Sequence, residues 1–124
     1  MARILIAEDE EALCAMCARA LNSVGHEVET ACDGSDALDL IKREDGRFDL
    51  LLTDIRMPIM DGIALSLAVA RDYPELTILL MTGYADQRER AHGLDAIVHD
   101  VIAKPFSLVQ LRATVDEALT VKAR

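Results

Sequence analysis

The chain has 124 residues, 52% hydrophobic and only 3% aromatic, with a formal net charge of −9. That length holds one ordinary domain around an aliphatic core, and the acidic balance argues against a nucleic-acid or anionic-membrane surface, which needs clustered basic side chains. No apolar run approaches the roughly 20 residues of a membrane span, and the N-terminus turns acidic too early for a secretory signal, so a cytoplasmic protein is expected.

Arg3 to Ala7 (RILIA) is a short apolar run and reads as a buried strand ending on Glu8, Asp9, Glu10 and Glu11. Leu13, Cys17, Ala20, Leu21 and Val24 then recur at helical spacing, with Gly25 where a helix stops. His26 to Ala31 reads as an edge strand, Asp33-Gly34 as a turn, and Ser35 to Glu44 as a helix with Ala37, Leu40 and Ile41 inward. Phe48 to Thr53 is a third strand leading into Asp54. A helix through Tyr73 follows Asp61-Gly62. Leu76 to Met81 is a fourth strand ending on Thr82-Gly83. Tyr84 to Leu94 is polar and is predicted as a helix. Val101 to Ala103 is a fifth strand ending on Lys104-Pro105. Ser107 and Gln110 have capping-box spacing and open a last helix, with Leu108, Leu111, Val115, Ala118 and Leu119 as its apolar face.

Five alternating strands and helices predict a parallel sheet covered on both faces. The expected arrangement is a flavodoxin-like (βα)5 doubly wound sheet of order 2-1-3-4-5. In that order the ends of the strands bring Glu8, Asp9, Asp54, Thr82 and Lys104 to one edge. Three carboxylates that close need compensating charge, and an all-oxygen donor set suits magnesium. A metal, an ammonium and a hydroxyl around one carboxylate can stabilise a phosphoryl group in transfer. The carboxylate itself can be the nucleophile, forming an aspartyl phosphate.

The acidic pair Glu8-Asp9, the D-x-x-M-P-x-M-D-G run from Asp54 to Gly62, Thr82-Gly83 and Lys104-Pro105-Phe106 occur in order across essentially the whole chain. With these residues the chain resembles a receiver domain of the bacterial response-regulator family. The resemblance implies that Asp54 is the phosphoacceptor, and that Asp9, Asp54, the Arg56 backbone carbonyl and, through water, Glu8 hold Mg2+. It implies that Thr82 and Lys104 contact the phosphoryl oxygens, that Lys104-Pro105 is cis, and that Pro58 and Gly62 shape the loop after Asp54. A histidine kinase or histidine phosphotransfer protein would donate the phosphoryl group. A downstream protein would read the face formed by the fourth helix, fifth strand and fifth helix, on a monomer or a phosphorylation-dependent dimer. The run AHGLDAIVHDVIAKPF resembles CpdR-type stand-alone receivers, a subgroup tied to regulated proteolysis as adaptors. A single receiver domain over residues 1–124, with no output domain, is therefore expected. The protein is read as a signalling module that catalyses only its own phosphotransfer and autodephosphorylation.

Two positions depart from the family pattern. Val101 stands where an aromatic switch residue is common, with Tyr84 as a conceivable substitute, and Arg56 places a long cation two residues after Asp54. The competing reading is a Mg2+-dependent, aspartate-nucleophile phosphatase of the haloacid-dehalogenase type. It requires a general acid at the position Arg56 occupies. A flavin carrier on the same fold would need a phosphate-cradling loop where EDEEA stands. Cys14 and Cys17 form a C-x-x-C inside a helical pattern without a second pair, and read as small buried hydrophobes. His26, His92 and His99 read as surface or boundary residues, and Met57 and Met60 as packing.

Overall fold

A computed structural model describes residues 1–83 and 93–123. The expected helix at 84–94 lies outside the described residues except for Gly93 and Leu94, which belong to a turn. Five strands form one sheet of order β2-β1-β3-β4-β5, and every pairing is parallel. The strands are β1 (Arg3–Ala7), β2 (Glu27–Ala31), β3 (Leu50–Asp54), β4 (Thr77–Thr82) and β5 (Asp100–Ala103). The described helices are α1 (Glu11–Asn22), α2 (Gly34–Arg43), α3 (Gly62–Asp72) and α4 (Leu108–Ala123). This is the flavodoxin-like sheet order that the strand pattern predicts.

β3 is central and buried along its whole length. A parallel strand with both faces covered has no solvent side, so its sequence runs as unbroken leucine rather than alternating. The two-residue period of a strand divides those leucines between two cores. Leu51 joins Leu5, Ile78 and Leu80 against Ala37, Ile41, Leu65 and Val69 of α2 and α3. Leu50 and Leu52 join Ile4, Ile6 and Leu79 against Cys17, Leu21, Leu111 and Val115 of α1 and α4. Each fully buried leucine or isoleucine contributes about 1.5–3 kcal/mol.

Local chemistry sets the boundaries. Asp33 and Asp61 cap α2 and α3 by accepting from Asp36 N and Ala64 N at 2.8 Å each. Ser107 and Gln110 make the expected reciprocal pair before α4, at 3.0 and 2.8 Å. Val24 does not continue the α1 stripe. The helix closes at Asn22, the chain turns through Gly25 at φ 98°, and Val24 is left 52% exposed. β3 begins at Leu50, later than expected, yet Phe48 is still buried, with the Arg3 guanidinium 4.6 Å above its ring. Cys14 and Cys17 are buried as expected, while Cys32 is exposed.

Candidate functional site

The register fixes where the strand ends fall. Ala7 pairs with Thr53, so β1 stops one residue short of Asp54, and Glu8 and Asp9 follow at the same edge. Glu8 N donates to Ala31 O at 3.1 Å, which holds the turn out of β1 against the end of β2. Asp54 pairs with Met81, and Thr82 with Ala103, which places Lys104 one residue beyond β5. A cavity of about 460 Å3 opens there, lined by Glu8, Asp9, Asp54, Arg56, Gly83 and Lys104 among others.

Glu8 and Asp54 are buried and Asp9 is exposed. One carboxylate oxygen from each lies within 4.8 Å of the others. The Lys104 Nζ reaches both buried acids, 3.0 Å from Glu8 Oε1 and 3.2 Å from Asp54 Oδ2. The other Glu8 oxygen accepts from Glu10 N at 3.0 Å. Burial pushes the Glu8 carboxyl up to about 7, against the opposing pull of the Glu10 amide and the Lys104 ammonium. Burial also works to lower the Lys104 pKa, but its hydrogen bond to Glu8 and the charges of Asp54 and Glu8 hold it above its ordinary value.

Ionised, the three carboxylates exceed the lysine's single positive charge by two. The donors are all oxygen, and Asp9 opens to solvent, which suits a hard divalent cation that keeps part of its water. Thr82 Oγ1 is fully buried and has no hydrogen-bond partner among the described residues. A buried hydroxyl without a partner is costly to a fold, and this one stands at the end of β4 beside the acidic edge.

The loop after Asp54 is pinned at two glycines. Gly62 N donates to Ile55 O at 2.8 Å, and a Cβ on Gly62 would stand 2.0 Å from Asp54 O. Gly34 N donates to Met60 O at 3.0 Å, and a Cβ there would stand 2.3 Å from the same oxygen. Between these anchors Met57 is buried and Met60 packs on the core, both as expected. Ile59 is 85% exposed and sits at φ 68°, an unfavourable conformation for a β-branched residue.

The sequence reading therefore named the residues that meet at this edge. Glu8, Asp9, Asp54, Arg56 and Lys104 share one cavity, and Thr82 ends the neighbouring strand. Arg56 is exposed at the cavity wall, and Lys104-Pro105 is cis. Val101 is half-buried against the α2–α3 core. Tyr84 and His92 lie outside the described residues. That reading missed the capping role of Asp61, for which the signal was an aspartate three residues before Ala64 at a helix start. It also gave no sign that His99 Nε2 lies 2.6 Å from Glu117 Oε2 on α4. Nothing in the spacing of those two residues announces the contact.

The chain matches the family model of the response regulator receiver domain over residues 4–116. It is 38% identical over 111 residues to the response regulator MprA of Mycobacterium avium, covering 90% of this chain and 48% of that protein. It spans less than half the length of that relative, and 12% of the sensor kinase CckA of Brucella abortus. A CheY-like response regulator receiver domain protein of Methanospirillum hungatei superposes with a TM-score of 0.90 at 30% identity, covering 99% of this chain and 97% of that one. The response regulator TrrA of Thermotoga maritima, solved in complex with Mg2+-BeF, superposes at 0.83 with 27% identity, over 95% of this chain and 99% of that one.

Proposed function

The chain belongs to the response-regulator receiver family, and on that premise we propose that it accepts a phosphoryl group on Asp54 in two-component signalling. The observation that carries the reading is Asp54 itself, a buried strand-end carboxylate held 3.2 Å from Lys104 Nζ, with oxygens of Glu8 and Asp9 within 4.8 Å.

Glu8, Asp9, Asp54 and the Arg56 carbonyl would hold Mg2+, whose positive charge would offset the phosphoryl oxygens and the crowded carboxylates. The complex of TrrA with Mg2+-BeF supports that metal. An Asp54 oxygen attacks phosphorus. The P–O bond forms as the P–N bond of a donor phosphohistidine breaks, and the electron pair returns to the imidazole. Lys104 is placed to leave its bond with Asp54 for a phosphoryl oxygen, and the orphaned Thr82 hydroxyl to donate to another. Arg56, at the cavity wall, adds a cation in reach of the phosphoryl group or an acid, and so sets the lifetime of the acyl phosphate.

The donor is a histidine kinase or histidine phosphotransfer protein in the cytoplasm. The output is a protein partner that docks on β5, α4 and the segment ahead of β5 that the sequence predicts as a helix. The regulated-proteolysis adaptor reading rests on the resemblance of residues 91–106, and pull-down with a AAA+ protease tests it. A phosphatase of the aspartate-nucleophile type would need a general acid at Arg56, and a guanidinium does not serve as one.

Intact mass after incubation with a small-molecule phosphodonor tests the assignment. One added phosphoryl group that requires Mg2+ and is lost in Asp54→Ala is expected. Incorporation that persists in Asp54→Ala, or none in the native chain, overturns it.

A further inference from the structure

A second cavity, of about 410 Å3, adjoins the acidic pocket and shares Glu8 and Asp9 with it. Its walls include Cys14 of α1, Thr30 of β2, and Cys32 just past the end of β2. The two thiols differ in access. Cys32 is exposed, whereas Cys14 is 8% exposed, with Thr30 beside it in the same wall. Burial raises the Cys14 pKa, with the charge of Glu8 adding to it, and both thiols face the one cavity. Cys17 provides the contrast. It is fully buried in the α1–α4 core, does not line this cavity, and is pushed up to about 11 by burial.

We propose that Cys14 and Cys32 are a redox pair, which a low-molecular-weight disulfide oxidises to an intramolecular cross-link between α1 and the β2–α2 turn. The exposed Cys32 thiolate attacks one sulfur of the donor disulfide. An S–S bond forms to Cys32, the donor's bond breaks, and the first donor thiolate leaves. The Cys14 thiolate then attacks the Cys32 sulfur and releases the second. The protein sulfurs lose two electrons to the donor, and their two protons end on the two released thiols.

The position gives the cross-link a consequence at the acidic pocket. Cys32 immediately precedes Asp33, the cap of α2, and Gly34, whose N–H holds Met60 O in the loop after Asp54. Ala31, on its other side, accepts from Glu8 N. A covalent tie at Cys32 therefore acts on the backbone of both Glu8 and the Asp54 loop, and it lowers Mg2+ affinity. That second part rests on the reading of the pocket as a metal site.

The experiment treats the full chain with oxidised glutathione and reads intact mass, a peptide map and Mg2+ affinity. The expected product is monomeric, lighter by two hydrogens, with Cys14 mapped to Cys32. Cys14→Ser then accumulates a glutathione adduct on Cys32, and Cys32→Ser stays unmodified at Cys14. A stable adduct on native Cys32, a Cys32-linked dimer or a Cys14–Cys17 bond overturns the pairing. A mapped Cys14–Cys32 bond with unchanged Mg2+ affinity overturns the coupling. Failure of the reduced protein to bind Mg2+ at all counts against the phosphoacceptor site instead, and leaves the mass readout of the thiol pair standing.

Discussion

Glu8 is a carboxyl that folding makes more basic, from 4.5 to about 7. Between those values the folded chain binds a proton there that the unfolded chain does not. Stability therefore falls as pH rises through this window. Denaturant titrations of the metal-free protein from pH 4.5 to 7 are expected to show that loss, and Glu8→Gln to flatten it. The proposed Mg2+ site needs the carboxylate ionised, so Mg2+ affinity is expected to rise over the same window in the native chain. Lys104→Met removes the ammonium 3.0 Å from Glu8 and leaves two buried acids facing each other. The Glu8 pKa climbs further in that variant, and carboxyl titration by NMR reads it directly. At this scale the acids, the hydroxyl and the lysine were legible in the sequence, because each sits directly at a strand end. The Glu8–Lys104 bond, the left-handed Ile59 and the His99–Glu117 pair were not. They depend on side-chain directions that no spacing rule encodes.

The elements owe their ends to caps and close approaches. Asp33→Ala removes the acceptor from Asp36 N and costs about 1 kcal/mol. Ser107→Ala costs a similar amount at α4 and leaves phosphorylation of Asp54 unchanged, as thermal melts and intact mass would show. Gly62→Ala behaves differently. Its new methyl meets the Asp54 carbonyl at 2.0 Å, so the backbone of the proposed acceptor must shift. That variant is expected to lose both stability and phosphorylation, while Asp33→Ala loses only stability. The capping box and the strands were readable because their signals are local. The start of β3 was misplaced because Phe48 is as apolar as a strand residue, yet it packs under Arg3 rather than pairing in the ladder.

Across the molecule, one sheet divides two aliphatic cores, and β3 and β4 feed both. Leu79→Ala is expected to cost 2–5 kcal/mol (about the usual range for a buried leucine) by cavity formation. Leu67→Ala, at a side chain 52% exposed on α3, stays within about 0.5 kcal/mol. Chemical denaturation of the pair measures the contrast. The sheet order was expected because five alternating strand and helix units suit a flavodoxin-like doubly wound sheet. The segment around residues 84–94 was the weakest part of that reading, because a polar stretch carries no hydrophobic period to argue from.

The Glu8–Lys104 bond joins residues 96 positions apart. Synthesis runs from the N-terminus, so Asp54 leaves the ribosome with its acidic neighbours well before the lysine that steadies them. Until β5 docks beside β4, the two buried carboxylates lack the ammonium that bridges them in the finished fold. On the proposed reading of Asp54, a nascent chain is therefore no substrate for a phosphodonor that needs Lys104, and competence to accept a signal arrives only when translation has passed β5.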